Sequence, residues 1–186
     1  MRRSLPLTAI AISIFAASTA MAAPFRELDE QALETGRGLF RILPHEVSIS
    51  TDEAAGTVIV ETSERRLYLI EGDCKAIVYG VGVAREGFEW NATLRVSGKR
   101  VWPDWTPPDA MLKRRPDIPR HMEGGLDNPL GARALYLGNT EYRIHGSNEP
   151  ETIGDAVSSG CIRMLNADVI DLYSRVKVGA KVIVEP

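Results

Sequence analysis

The sequence predicts a mainly β domain carrying a few short helices. Three observations support that reading. Runs rich in β-branched and aromatic residues recur along the chain, as in Thr57-Val58-Ile59-Val60 and Lys181-Val182-Ile183-Val184, and such residues suit a pleated, half-buried surface. Gly- and Asp-containing turns punctuate them. The regular alternation of strand and helix that builds a doubly wound sheet is missing.

Taken in order, the chain opens on a segment that stands outside the fold. Arg2 and Arg3 form a short positive region, an apolar or small stretch runs from Leu5 to Ala17, and Ala20-Met21-Ala22 has the small-x-small pattern of a cleavage site. This is the layout of a secretory signal peptide, and the apolar run is short for a bilayer, which wants about 20 residues. Residues 1–22 are therefore expected to be removed on export to the periplasm or cell envelope. Pro6 argues for general secretion rather than a twin-arginine route, and no cysteine follows the cleavage point to carry a lipid. Losing Arg2 and Arg3 takes the formal charge from −3 to −5 (−3 − 2), an acidic balance that argues against nucleic acid as a partner. The remainder is long enough to bury a core of its own.

Residues 23–55 are charged and turn-rich. They read as an N-terminal extension or lead-in strand, with a short helix over Glu27 to Leu39 interrupted by Gly36 and Gly38. Residues 56–186 read as the functional domain. Thr57 to Thr62, Arg66 to Ile70 and Ala76 to Val83 form a β-meander, with Gly72-Asp73 as a turn. Residues 84–133 hold more than half of the eleven prolines and all three tryptophans and read as irregular, with a short helix from Pro108 to Arg115 stopped by Pro116 and a turn over Asp127 to Gly131. Long irregular segments tend to be functional. The tryptophans either shape a substrate cleft or pack the core. Ala134 to Leu137 and Tyr142 to His145 are strands. Asn166-Ala167-Asp168 is expected to cap a helix whose Val169, Ile170, Leu172, Tyr173 and Val176 follow helical spacing. Lys181 to Val184 is a further strand.

The two cysteines differ in setting. An even count in an exported protein first suggests a disulfide. Against it, a domain of this size needs no staple, and the surroundings diverge: Cys74 follows Glu71-Gly72-Asp73 at a hairpin, whereas Cys161 lies in the small, polar run Ser158-Ser159-Gly160-Cys161-Ile162-Arg163. His145 lies sixteen residues before Cys161. A thiol attacks carbonyls as thiolate, and a nearby imidazole activates it. Gly160 permits a tight turn, so the amides of Ser159, Gly160 and Cys161 can form an oxyanion hole, each donor worth about 3 kcal/mol in the transition state. Arg163 adds a charge that can hold the thiolate or a substrate carboxylate. Spacing alone leaves a structural histidine and a buried, inert cysteine as alternatives. His45 and His121 show no metal-ligand spacing with His145.

Beyond these elementary readings, His145-Gly146-Ser147-Asn148-Glu149-Pro150, then Ile153-Gly154, then Val157-Ser158-Ser159-Gly160-Cys161-Ile162-Arg163-Met164 closely resembles the active-site segment of the L,D-transpeptidases, the YkuD or ErfK-type catalytic domain. Trp105 to Pro108 and Gly125 to Tyr136 look like the same family's cleft-lining and strand segments. The resemblance implies a β-sandwich-like fold. It also implies Cys161 as nucleophile, His145 as proton donor and acceptor, and the Gly146 carbonyl as the group that orients His145. Ser158, Ser159, Gly160 and Arg163 are implied at the oxyanion and substrate-binding positions. No metal or cofactor is implied. The implied reaction is transfer of a peptidoglycan stem tetrapeptide, through a cysteinyl thioester on its third residue, to a second stem in a 3-3 cross-link or to a protein. The alternative on the same residues is an L,D-carboxypeptidase or amidase-type hydrolase. A wall-binding module with a dead site is disfavoured by the intact His145, Gly160, Cys161 and Arg163. One departure stands out: many members carry Ser-His-Gly-Cys, and Ser159 occupies the place of that histidine.

Overall fold

The computed structural model describes residues 43–186; the leader and the expected helix over residues 27–39 lie outside the described residues. A nine-stranded sheet dominates, ordered β1-β4-β3-β2-β11-β6-β7-β8-β10. Its strands are β1 (His45–Ser48), β2 (Val58–Glu61), β3 (Arg66–Gly72), β4 (Lys75–Gly80), β6 (Ala92–Val101), β7 (Arg133–Leu137), β8 (Arg143–His145), β10 (Ile162–Arg163) and β11 (Lys181–Glu185). A two-stranded parallel pair joins β5 (Val83–Ala84) to β9 (Ala156–Ser158). Three helical pieces complete the described chain: α1 (Asp109–Arg114), a single 3₁₀ turn (Pro150–Thr152) and α2 (Asn166–Arg175).

The meander expected from the sequence is present as β2-β3-β4, antiparallel throughout. Part of the extension joins it, since β1 pairs antiparallel with β4 from His45 opposite Val78 to Ser48 opposite Lys75. The main departure is β6. Residues 84–133 read as irregular, yet they hold the longest strand. Leu94 and Val96 turn toward the core between exposed Thr93, Arg95 and Ser97. Beyond Val96 the register shifts around Gly98, and polar Lys99 and Arg100 obscure the period. That shift lets one strand serve two partners: residues 92–95 pair with β11 and residues 96–101 with β7. A bulge bends a strand, so β6 turns the sheet from its first half to its second.

Between the halves lies the core, built from Val58, Val60, Leu67, Tyr79, Val96, Leu135, Leu137, Ile144, Ile162 and Val182 among others. Helix α2 packs on β7 and β8 and buries Val169 and Leu172 completely, each worth about 2 kcal/mol of apolar burial. Ile170, expected on that face, is instead exposed. The cap expectation is also corrected. Leu165 precedes the helix and no side chain caps it, because the Asn166 carboxamide is engaged elsewhere. From β6, Lys99 Nζ donates to the Tyr173 and Val176 carbonyls, satisfying carbonyls at the helix end.

Candidate functional site

Strand β8 brings the first functional side chain. Alternate residues of a strand share a face, so Arg143 and His145 point the same way. Only 4% of His145 is exposed. Its Nδ1 lies 2.6 Å from the Gly146 carbonyl oxygen. A carbonyl only accepts, so in the neutral ring Nδ1 carries the proton and Nε2 keeps its lone pair. Burial drives the imidazole pKa down to about 3; the Gly146 carbonyl opposes this, and the charges of Arg163 and Arg143 reinforce it. His145 is therefore neutral and oriented at physiological pH.

The second side chain arrives on β10, which runs parallel to β8 with Ile162 beside Ile144 and Arg163 beside His145. This register sets Cys161 next to Arg143. Both cysteines are free thiols, so the disulfide alternative is not realised. Cys161 Sγ lies 3.7 Å from the Glu141 carbonyl oxygen. Burial pushes its thiol pKa up, while the charge and hydrogen bonds of Arg143 and the charge of Arg163 pull it down. The net direction is upward.

The loop before Cys161 is braced from within. Ser158 Oγ donates to the Cys161 carbonyl at 2.6 Å and accepts from the Gly160 amide at 3.1 Å. The Gly160 carbonyl accepts from Trp90 Nε1 at 2.7 Å. Trp90 stacks on Tyr142 with ring centroids 4.2 Å apart. Gly160 has φ +114, and a Cβ there would lie 2.5 Å from Tyr142 Cε1. The turn thus needs glycine twice, for its backbone angle and for the ring beneath it. The Gly160 amide and the Cys161 carbonyl are thus both bonded to the buried Ser158 hydroxyl. Among the described residues, neither the Ser159 nor the Cys161 amide is drawn into a bond within the loop.

His145, Cys161, Ser158, Ser159 and Arg163 all line one cleft of about 430 Å³, together with Trp105 and Met122. Arg163 is partly spoken for: its Nη1 lies 3.0 Å from Glu149 Oε2 and 3.4 Å from Thr152 Oγ1. The tryptophans divide: Trp105 lines the cleft, Trp90 supports the loop and Trp102 is 39% exposed.

Three residues were not singled out from the sequence as parts of the site. Arg143 had a visible signal, its position two before His145 on a strand. Asn166 read only as a helix cap and Asn128 only as part of a turn. Asn166 Oδ1 accepts from the Ala132 amide at 2.8 Å and its Nδ2 donates to the Ser147 carbonyl at 3.0 Å. It ties α2 to the chain just before β7 and just after β8, and a Cβ on Gly146 would collide with its carboxamide oxygen. Fully buried Asn128 donates to the carbonyls of Pro103, Met122 and Glu123 and accepts from the Leu130 amide, which folds the proline-rich segment against the cleft. Among the described residues, no group of three or more His, Cys, Asp or Glu is placed to hold a metal ion.

A mainly β domain that turns a free thiol and a neutral, oriented imidazole into one cleft has the parts of an acyl-transfer site. Comparison with known proteins gives that class its family. The YkuD model, described as the L,D-transpeptidase catalytic domain, matches residues 55–184. The probable L,D-transpeptidase ErfK/SrfK of Escherichia coli K12 is 36% identical over 72% of this chain and 45% of its own length. A crystal structure from Brucella melitensis, reported as a probable carnitine operon oxidoreductase, is 41% identical, with a TM-score of 0.53 over 75% of this chain and 91% of that one. The catalytic domain of the Enterococcus faecium L,D-transpeptidase, solved by NMR, has a TM-score of 0.56 over 73% of this chain and 100% of that one; at 16% identity it speaks for the fold alone. The oxidoreductase wording belongs to the Brucella protein and differs from the transpeptidase wording of the family model and the curated relative. The chain belongs to the YkuD L,D-transpeptidase catalytic domain family, and it spans less than half the length of the curated relative named above.

Proposed function

We propose that this protein is an exported peptidoglycan L,D-transpeptidase that works through Cys161 and His145. The observation that carries the reading is the hydrogen bond from His145 Nδ1 to the Gly146 carbonyl at 2.6 Å, which leaves Nε2 of a neutral ring as a base in the cleft that also holds Cys161. In the acylation step, sulfur attacks the carbonyl carbon of the third stem residue as His145 takes the thiol proton. The carbon–nitrogen bond to the terminal residue then breaks, and His145 returns that proton to the departing amine. Arg143 and Arg163 favour negative charge at sulfur and disfavour the imidazolium, so the proton is passed on rather than kept. The amides of Ser159 and Cys161 are the oxyanion donors of this reading. In the second step an amine of another stem, or of a protein, attacks the thioester carbonyl and Cys161 leaves. Residues 1–22 act as the export signal, and the periplasm or cell envelope is the site of action; no helix among the described residues is long and apolar enough to cross a membrane.

The test is incubation of the mature protein with tetrapeptide stems, followed by mass spectrometry. A cross-linked stem dimer, with a transient adduct on Cys161, is the expected result. Trimmed tripeptide alone identifies a hydrolase, and turnover without any adduct removes the thioester from the scheme.

A further inference from the structure

We propose that a second hollow, beside the Cys161 cleft, binds a carboxylate of the amine that accepts the acyl group. The proposal rests on the transfer chemistry above. The hollow measures about 440 Å³ and is lined by Arg85, Arg114, Arg115 and Arg163 together with Met111 and Ser159; no carboxylate lines it. It is continuous with the catalytic cleft, since Met111, Arg115, Ser159 and Arg163 border both.

Two of the four guanidiniums already have acidic partners. Arg115 grips Asp117, with Nη2 2.7 Å from Oδ2, and Arg163 reaches Glu149. The other two do not. Arg85 Nη1 donates only to the Val157 and Ser158 carbonyls, and among the described residues neither Arg85 nor Arg114 forms an ion pair. Both instead lie over the Phe88 ring, at 4.2 and 5.1 Å from its centroid. A chain of net charge −3 that gathers four cations around one hollow accepts mutual repulsion there, which an anion would relieve. A guanidinium resting on an aromatic face keeps its edge free for the paired hydrogen bonds a carboxylate accepts.

Position supplies the chemistry. Ser159 is one of the residues that border both spaces and lies two residues from Cys161. An acceptor whose carboxylate sits among the arginines presents a neighbouring amine toward the thioester. The amine nitrogen bonds to the thioester carbon, the carbon–sulfur bond breaks, and the proton lost by the amine passes through His145 to the Cys161 sulfur. The ligand class is an amine bearing a carboxylate on the adjacent carbon, the amino-acid end of a stem side chain. Ser159, the position where this chain departs from the histidine of many family members, is among the residues that line the hollow.

The test partitions one thioester between two fates. Enzyme acylated by a tetrapeptide donor is offered diaminopimelate or its diamide, and the ratio of aminolysis to hydrolysis is measured by mass spectrometry. Wild type is expected to favour diaminopimelate. Arg114→Gln, at an exposed position, should lower the ratio for diaminopimelate about tenfold, the loss expected for a charge-assisted pair. Arg114→Glu should lower it further, with the ratio for the diamide unmoved in both. A ratio that stays constant for diaminopimelate, or that falls equally for both amines, overturns the carboxylate site, whereas wild type that hydrolyses its thioester with either amine present overturns the transfer reading on which the site rests. Failure of the wild type to form any Cys161 adduct with the donor appears before an acceptor is added and overturns the transfer reading itself.

Discussion

The two cysteines of this protein sit in tight turns of one sheet, and almost everything else about them differs. Cys74 follows Asp73 at the β3–β4 hairpin, both in the left-handed region at φ 58 and 51, and it is exposed. Its carbonyl accepts from the Ile49 amide, so its backbone serves the sheet and its thiol faces water. Cys161 closes a turn floored by the Trp90–Tyr142 stack, braced by Ser158, beside Arg143 and in one cleft with His145. A thiol becomes useful through what its turn is built against, because neighbours set its protonation and its approach to a carbonyl.

The comparison is open to attack at several points. The largest effect is expected from Cys161→Ala, which should lower D-alanine release from a tetrapeptide stem by about 10⁴-fold or more, as loss of a nucleophile does, with thermal unfolding unchanged. Substantial turnover in a folded Cys161→Ala protein would falsify the assignment of the nucleophile. Next comes Gly160→Ala. Its Cβ would press on Tyr142 and shift the nucleophile, and a displacement of about 1 Å can cost on the order of 100-fold in rate. A kcat/KM within a factor of two of wild type would show that the turn tolerates what its geometry forbids.

A smaller effect concerns pH. The folded-state pKa of His145, about 3, lies below the ordinary value of about 6.5. Between these values the unfolded chain binds a proton that the folded chain refuses, so stability is unaffected above about pH 6.5 and declines as pH falls toward 3. At pH 5 the loss is about 2 kcal/mol. Urea unfolding at pH 7.5 and pH 5 should show this decline in wild type and less of it in His145→Gln; equal declines would mean that the ring is not held neutral by burial. The smallest effect belongs to Cys74→Gly, which relieves a left-handed residue and should raise stability by about 0.5–1 kcal/mol without altering turnover. Lost activity in that variant would give Cys74 a role its exposed turn does not suggest.

Legibility in the sequence followed the same divide between local and distant causes. Strands β2, β3, β4, β7, β8 and β11 announced themselves, since their alternation and bounding turns lie within a few residues. The short helix α1 was framed by Pro108 and Pro116. Cys161, His145 and Gly146 stood out through their local motif. Strand β6 did not, because its pattern changes register at Gly98 midway. Strands β9 and β10, of three and two residues, are too short for any period and exist because neighbouring chain pairs with them. The same holds for Asn166, which reads as a helix cap locally and acts as a tie between Ala132 and Ser147, partners 34 and 19 residues away. Gly160 read locally as a free amide, and only the folded turn shows Ser158 taking it.

Strand β11 carries one more consequence. It lies in the middle of the sheet, parallel to β2 and antiparallel to β6, and the bond between Thr62 and Glu185 joins residues 123 positions apart. The meander can therefore form from neighbouring residues before the distant strand seats beside it. Until then β2 and β6 have a gap between them where main-chain groups await a partner, and closing so long a loop is slow. The strands β8 and β10, on and beside which His145 and Cys161 lie, are beyond that gap, on the far side of β6. A truncation within β11 would remove the strand that joins β2 to β6 and leave the two halves of the sheet unjoined, although β11 lines no part of the cleft.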